Sequence, residues 1–446
     1  MRILVINASP KGKDSITFQT VRYLAKLHPE HQFKALHVGK KIRAFERDIT
    51  PALRLMEAAD FVLFAYPVYT FIAPWQLHRF VELVKESGVD LAGKFVSQIT
   101  TSKHFYDVTA HRWLTENAQD MGMRVLRGLS ADMDDLLTTS GQRQAREHFD
   151  FLMNAMENGI VEPRLTKSTP AKHCPVTVPD APSVEKPGDV VILTNCTESD
   201  EQLRAMIRRF AAVLPRASRV INIGEYPFSG GCLGCFHCAV DGKCIYKDGF
   251  DEFLRTEIQR AEAIVMAFSV KDHSMGASFK LYDDRQFCNG HRTVTMGMPM
   301  GYLISGNYAD EPNLQMILEG RANVGGNYLA GIATDEENPD AAIDALAKNL
   351  DWALATGHVP PQNFLGVGGM KIFRDLIWIM QGMMKADHRF YKAHGQYDFP
   401  QKQWPRMLAM YAVGAMLASP ELKKKLGSKM TEGMLMPYNA MLKKLK

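Results

Sequence analysis

Short, largely apolar runs at Ile3 to Ile6, Phe61 to Ala65 and Phe95 to Ile99 alternate with stretches of helical period between Met1 and about Gly159. Runs of that length separated by helices predict buried strands of a parallel α/β sheet. After Pro74, Leu77, Phe80, Val81 and Val84 recur at i, i+3, i+4 and i+7, which predicts one buried helix face, with Gln76, Arg79 and Glu82 turned to water. Prolines at 163, 170, 175, 179, 182 and 187 exclude a regular helix or central strand and mark residues 160–187 as a linker. The α/β order then restarts: Val190 to Thr194 reads as a strand, Leu203, Met206, Ile207 and Phe210 as a helix face, and Val220 to Ile223 as the next strand. The segment Ala58 to Leu63 is answered in form by Arg260 to Val265, which predicts an internal duplication. Beyond about Gly357 the pattern becomes helical and Met-rich, with Ile372, Leu376, Ile379 and Met383 expected on one face packed across the two sheets.

The expected architecture is therefore an α/β domain over 1–159, a Pro-rich linker over 160–187, a second α/β domain over 188–357 and a helical extension over 358–446. Composition adds little, because 46% hydrophobic and 23% charged residues in a chain of 446 describe an ordinary globular protein of two or three domains. Charge is more informative: the net +4 divides into +9 from Pro361 onward and −5 before it. Without interleaved aromatics such a cluster reads as a solvated helix face, so nucleic acid is not an expected partner. The chain starts directly on a strand, without the zones of a signal peptide, and a cytoplasmic location is expected. The uncharged run from Met407 to Pro420 is shorter than the roughly 20 residues a spanning helix needs, so it reads as a buried or interfacial helix, and membrane association is not expected.

Three loops carry candidate chemistry in the first domain. Strand one is followed by Asn7-Ala8-Ser9-Pro10-Lys11-Gly12-Lys13-Asp14-Ser15-Ile16-Thr17, a hydroxyl-, Gly- and Lys-bearing loop at a helix N-terminus, where backbone N–H groups and the macrodipole hold phosphate. The Walker glycine spacing is absent, which disfavours nucleoside triphosphates. After strand three comes Tyr66-Pro67-Val68-Tyr69-Thr70, and after strand four Thr100 to Asp107, at the sheet edge where such folds bind ligands. On these motifs the chain resembles the flavodoxin-like NADPH-dependent FMN reductases. The resemblance implies tandem flavodoxin-like, doubly wound parallel sheets. It also implies FMN held by Ser9, Lys11, Ser15, Ile16 and Thr17 at the phosphate, Pro67, Val68, Tyr69 and Thr70 at the ring, and Thr101, Ser102 and His104 at the rim. Ser15 taken alone is also an ordinary helix cap, and His104 an ordinary surface histidine.

Of seven cysteines, Cys174, Cys196 and Cys288 stand alone, while Cys232, Cys235, Cys238 and Cys244 form C-x2-C-x2-C-x5-C. Two-residue gaps with nearby glycines turn successive thiolates onto one small centre, close to the ferredoxin pattern. A structural zinc, which usually takes separated Cys pairs, is the alternative. His237 reads as second-sphere or exposed. Here the resemblance narrows to the iron–sulfur flavoproteins and implies a [4Fe-4S] cluster on these four cysteines, with Asp248-Gly249-Phe250 also fitting their pattern. The motif lies in the second repeat; the matching stretch of the first, 40–48, has no cysteine. The second repeat's own first loop, 194–201, places Glu198, Asp200 and Glu201 where a phosphate would be repelled, so one FMN and one cluster are expected per chain.

The resulting expectation is an FMN- and iron–sulfur-dependent oxidoreductase, with NAD(P)H or reduced ferredoxin as donor, a small-molecule or protein redox partner as acceptor, and no side chain assigned as catalytic. A non-catalytic electron carrier or redox sensor, and an NAD(P)H-dependent FMN or quinone reductase with a structural zinc, compete with it. A homo-oligomer is open, since two repeats can also mimic a dimer within one chain.

Overall fold

The computed structural model describes residues 1–165, 173–180, 185–398, 403–421 and 430–444; Pro170 and Pro182 of the expected linker lie outside the described residues. The apolar runs form strands buried on both faces, as parallel sheets covered by helices require. The first sheet contains β1 (Arg2–Asn7), β2 (Gln32–Leu36), β3 (Phe61–Pro67), β4 (Phe95–Ser102), β5 (Arg124–Val125) and β6 (Leu129–Asp132), in the order β2-β1-β3-β4-β5 with β6 also on β4. The second contains β7 (Val190–Thr194), β8 (Ser218–Asn222), β9 (Ala263–Ser269), β10 (Pro299–Ser305) and β11 (Tyr328–Thr334), in the order β11-β10-β9-β7-β8. All pairings are parallel. Read from its far edge, the second sheet has the 2-1-3-4-5 order of the first, so the chain carries two flavodoxin-like sheets in tandem.

The repeats dock through equivalent helices, Trp75–Glu86 of the first and Gly276–Arg285 of the second, with reciprocal polar contacts. Trp75 N–H donates to Asp284 Oδ2 at 2.7 Å, and Ala277 N–H donates to Glu82 Oε1 at 2.7 Å, so each helix caps the other's N-terminus. This is the geometry of an isologous dimer written into one chain. It also corrects the expectation for Gln76 and Glu82. Both are buried, because their helix face meets the other repeat rather than water. Arg79 lies between Glu46, Glu82 and Glu86.

The turn after the third strand of each repeat is likewise held by a helix of the other. Trp113 Nε1 and Asn117 Nδ2, on the helix Val108–Asp120, donate to Asp272 O at 2.9 and 3.1 Å. Arg321, on the helix Pro312–Gly325, donates to Thr70 O at 3.1 Å and Tyr69 O at 3.2 Å.

Contacts divide the chain into Met1–Phe390, which holds both sheets, and Tyr391–Lys446. In the first unit the helix Phe364–Ile379 presents Ile372 and Leu376 inward. Ile379 is 80% exposed and Met383 lies beyond the helix end and is exposed, so the expected four-residue face is split. In the second unit the run at Met407 falls on the helix Trp404–Leu417, whose described side chains, Trp404 and Tyr411 among them, are exposed rather than buried. No helix among the described residues is long and apolar enough to cross a membrane.

Candidate functional site

The loop after β1 is shaped by its own polar groups. Asn7 Nδ2 donates to Gly12 O at 2.7 Å, Ser9 N–H donates to Asn7 Oδ1 at 3.2 Å, and Gly12 stands at φ +59°, a conformation natural to glycine. The loop lies directly on the helix Val38–Phe45, where a Cβ on Gly39 would sit 2.2 Å from Ala8 O. Ser15 caps the helix Ile16–Leu27, leaving first-turn N–H groups without intrahelical acceptors at the positive end of the dipole. Thr17 Oγ1 and Thr101 Oγ1, 2.6 Å apart, tie the start of this helix to the end of β4.

The loop after β3 hydrogen-bonds to β4 and then turns sharply. Val68 N–H donates to Thr101 O at 3.1 Å, and Tyr69 N–H donates to Ile72 O at 2.8 Å. Between them Thr70 and Phe71 take φ of 43° and 76°, a left-handed pair that costs free energy and persists because Arg321 and Thr109 hold the surrounding carbonyls.

All of the expected flavin residues except His104 line one cavity of about 230 Å³: Ser9, Lys11, Ser15, Ile16, Thr17, Pro67, Val68, Tyr69, Thr70, Thr101 and Ser102. His104 points away, its side chain 77% exposed and 3.7 Å from Asp132. The opposite wall comes from the second repeat and includes Cys232, Cys235, Cys238 and Cys244. The two walls touch. Tyr69 Oη lies 3.5 Å from Cys232 O, Lys11 Nζ stands 5.8 Å from the Phe236 ring centroid, and a Cβ on Gly234 would come within 2.9 Å of Tyr69 Oη.

The cysteine loop is closed at its neck by one carboxylate. Asp248 accepts from Ser229 N–H at 3.0 Å, from Phe250 N–H at 3.3 Å, and from Arg285 through both guanidinium nitrogens at 2.7 and 2.8 Å. Arg285 also donates to Gly230 O at 3.1 Å and lies over the rings of Phe228, Tyr246 and Phe250. Burial alone would raise the Asp248 pKa, but the bonds from Arg285 and the two backbone N–H groups hold the carboxyl well below the usual range. The Asp-Gly-Phe segment visible in the sequence is thus the clasp of this loop.

Cys232 Sγ accepts from Gly234 N–H at 3.4 Å, and Cys238 Sγ donates to Phe287 O at 3.1 Å. Burial pushes the Cys232 thiol up and the Cys238 thiol up to about 11, so a thiolate here calls for a cationic partner. Cys288 also lines the cavity, with its thiol pushed up by burial to about 12. Sequence spacing gave no sign of it, since it reaches the others only through the fold. Phe287, His291, Ile372, Phe373 and Leu376 are further lining residues that no motif marked. His237 is exposed.

The residues present fit FMN: hydroxyls, a lysine and a helix N-terminus stand at one end of the cavity, and Tyr69, Phe105, Phe236 and Phe287 supply flat apolar surface elsewhere in it. The expected convergence of the thiols on one small centre is not what the fold shows. Four ligands at single-zinc bond lengths would stand about 3.8 Å apart. Among the described residues, no three of the thiol sulfurs come within 4.8 Å of one another, so they are spread more widely around the cavity than one ion requires.

Residues 1–141 match a family described by its flavodoxin-like fold. No curated protein matches the chain. Similar solved structures include a putative quinone reductase from Klebsiella pneumoniae, 15% identical, covering 37% of this chain and 88% of its own, with TM-score 0.28. An FMN-dependent NADH-azoreductase from Bacillus anthracis in complex with FMN is 14% identical, covering 34% and 98%, with TM-score 0.28. An NADH:FMN oxidoreductase in its apo form is 21% identical, covering 34% and 89%, with TM-score 0.31.

Proposed function

We propose that the chain is a flavin-dependent oxidoreductase that holds FMN on the first repeat and a [4Fe-4S] cluster on Cys232, Cys235, Cys238 and Cys244 of the second. It would take electrons from NAD(P)H or a reduced ferredoxin for a small-molecule or protein acceptor. The observation that carries this reading is that the two sets of residues, His104 apart, chosen by separate motifs in separate repeats, line a single cavity. When bound, FMN supplies exchange between hydride and single electrons, and an iron–sulfur cluster supplies one-electron transfer.

In this reading Ser9, Ser15, Thr17 and the first-turn N–H groups bind the phosphate, and Lys11 adds a positive charge. Tyr69 and Thr70 position the ring, and Arg321 keeps their turn in its strained form. Asp248 and Arg285 keep the cysteine loop closed. Ile372, Phe373 and Leu376 add apolar wall from the extension.

Anaerobically purified full-length chain is expected to contain one FMN per chain, with iron and acid-labile sulfide in equal amounts, and to oxidise NAD(P)H with a quinone or nitro acceptor. Two equivalents of flavin, or zinc in place of iron, would contradict the assignment.

A further inference from the structure

The turn after β9, Lys271–Ser274, repeats the turn after β3: Asp272 and His273 stand in the left-handed region at φ 52° and 58°, as Thr70 and Phe71 do in the first repeat. The chemistry around the two turns is opposite. Phe71 is buried in an apolar cluster with Ile317 and Val324, and a Cβ on Gly320 would come within 3.0 Å of its ring. At the equivalent place stands His273, and the equivalent helix offers it Glu116 and Asp120. The side chain at this position of the turn packs on hydrocarbon in the first repeat, so ionisable groups around His273 are not needed to fill its place.

Glu116, His273 and Glu311 each place a ligand atom within 4.8 Å of the others. Glu116 is 2% exposed, and its Oε2 has no hydrogen-bond partner. Leaving such an atom unpaired is costly, and a cation among the three groups would relieve it. His273 Nδ1 lies 2.9 Å from Glu311 Oε1, and Nε2 lies 2.9 Å from Asp120 Oδ2. Lys85 reaches Asp120 and Asp272 at 3.3 and 2.7 Å and Arg164 reaches Asp120 at 3.0 Å, and neither bonds to Glu116 Oε2. His273, Glu311 and Asp120 border a separate cavity of about 580 Å³.

We propose that Glu116, His273 and Glu311 bind a first-row divalent cation such as Mn²⁺, Fe²⁺ or Zn²⁺, with Asp120 holding the imidazole Nε2–H. One imidazole with two carboxylates is a donor set for these ions rather than for thiophilic ones. A carboxylate on the distal ring nitrogen fixes the tautomer and leaves Nδ1 to face the ion. Three protein ligands leave coordination positions open toward the cavity for water or an oxygen-bearing substrate. Because Glu116 comes from the first repeat and the other two ligands from the second, the ion would also clamp the repeats together.

The test is titration of the full chain, as purified, with MnCl₂, reading free Mn²⁺ by its EPR signal. Manganese prefers oxygen and imidazole to thiolate, so the cysteine loop does not interfere. One saturable site per chain is expected, with Glu116→Gln and Glu311→Gln each weakening it at least tenfold and Cys232→Ser leaving it unchanged. Absence of saturable binding, or wild-type affinity in Glu116→Gln, would overturn the assignment. Glu116 Oε2 makes no hydrogen bond, so the glutamine variant is expected to fold, and its metal-free thermal unfolding checks this. Should it fail, Glu311→Gln and the Mn²⁺-dependent rise in wild-type unfolding midpoint decide. None of these readouts depends on whether the flavin and cluster assignments hold.

Discussion

Asp248→Asn removes one charge and almost no volume from the clasp of the cysteine loop. The Asp248 side chain is 6% exposed and that of Arg285 1%, so the substitution leaves a buried guanidinium without its counter-ion. Breaking a buried pair from one side costs about 3–5 kcal/mol. The lower end applies here, because Phe228, Tyr246 and Phe250 surround the guanidinium, with centroids 5.5, 4.6 and 5.1 Å away. Urea unfolding at neutral pH should therefore show a loss of about 3 kcal/mol, and iron retained after desalting should fall with it as the loop neck opens. The pH dependence follows from the depressed carboxyl. Its contribution is full above the ordinary aspartate pKa of about 3.9 and is lost as pH falls through the lower folded value. The difference between wild type and variant should shrink in acid. A neutral-pH loss under about 0.5 kcal/mol, the size of an ordinary surface substitution, would refute the reasoning.

Three further outcomes are expected. Lys11→Ala should weaken FMN binding by about 10- to 100-fold, the worth of a charge-assisted hydrogen bond, while leaving riboflavin binding unchanged in fluorescence titrations. Gly234→Ala places a methyl group 2.9 Å from Tyr69 Oη at a φ of +60°, and should raise the FMN dissociation constant by roughly tenfold as Tyr69 is displaced. Burial, with His111 nearby, pushes the half-buried His148 down to about 4, and its Nε2 has no partner. Its neutral form is favoured in the fold, so stability present above about pH 6.5 should decline toward pH 4 by about 1.4 kcal/mol per unit, and His148→Phe should flatten that slope in acid unfolding curves.

Much of this molecule was legible in local pattern. Apolar runs of strand length, separated by one-faced helices, specify parallel strands because both sheet faces are covered, and the recurrence of that pattern after residue 188 announced the second sheet. The loops after β1 and β3 were visible because their backbone demands hydroxyls, glycine and proline at fixed places, and the cysteine run because its two-residue gaps stand within one short stretch. What the pattern could not contain was partnership. Gln76 and Glu82 read as solvent-facing, since periodicity reports how a helix divides its faces and not what meets each face. Here a second repeat covers the polar side, and Glu82 caps its helix. Cys288 joins the other thiols only through the fold of the second repeat, and Glu116 reaches His273 only because the repeats dock. The sequence alone determined the strands, their order and which side chains each loop carries. Tertiary structure decided that the two sets of loops face one another, because contacts between residues far apart in the chain depend on how whole surfaces fit, and local periodicity does not record that.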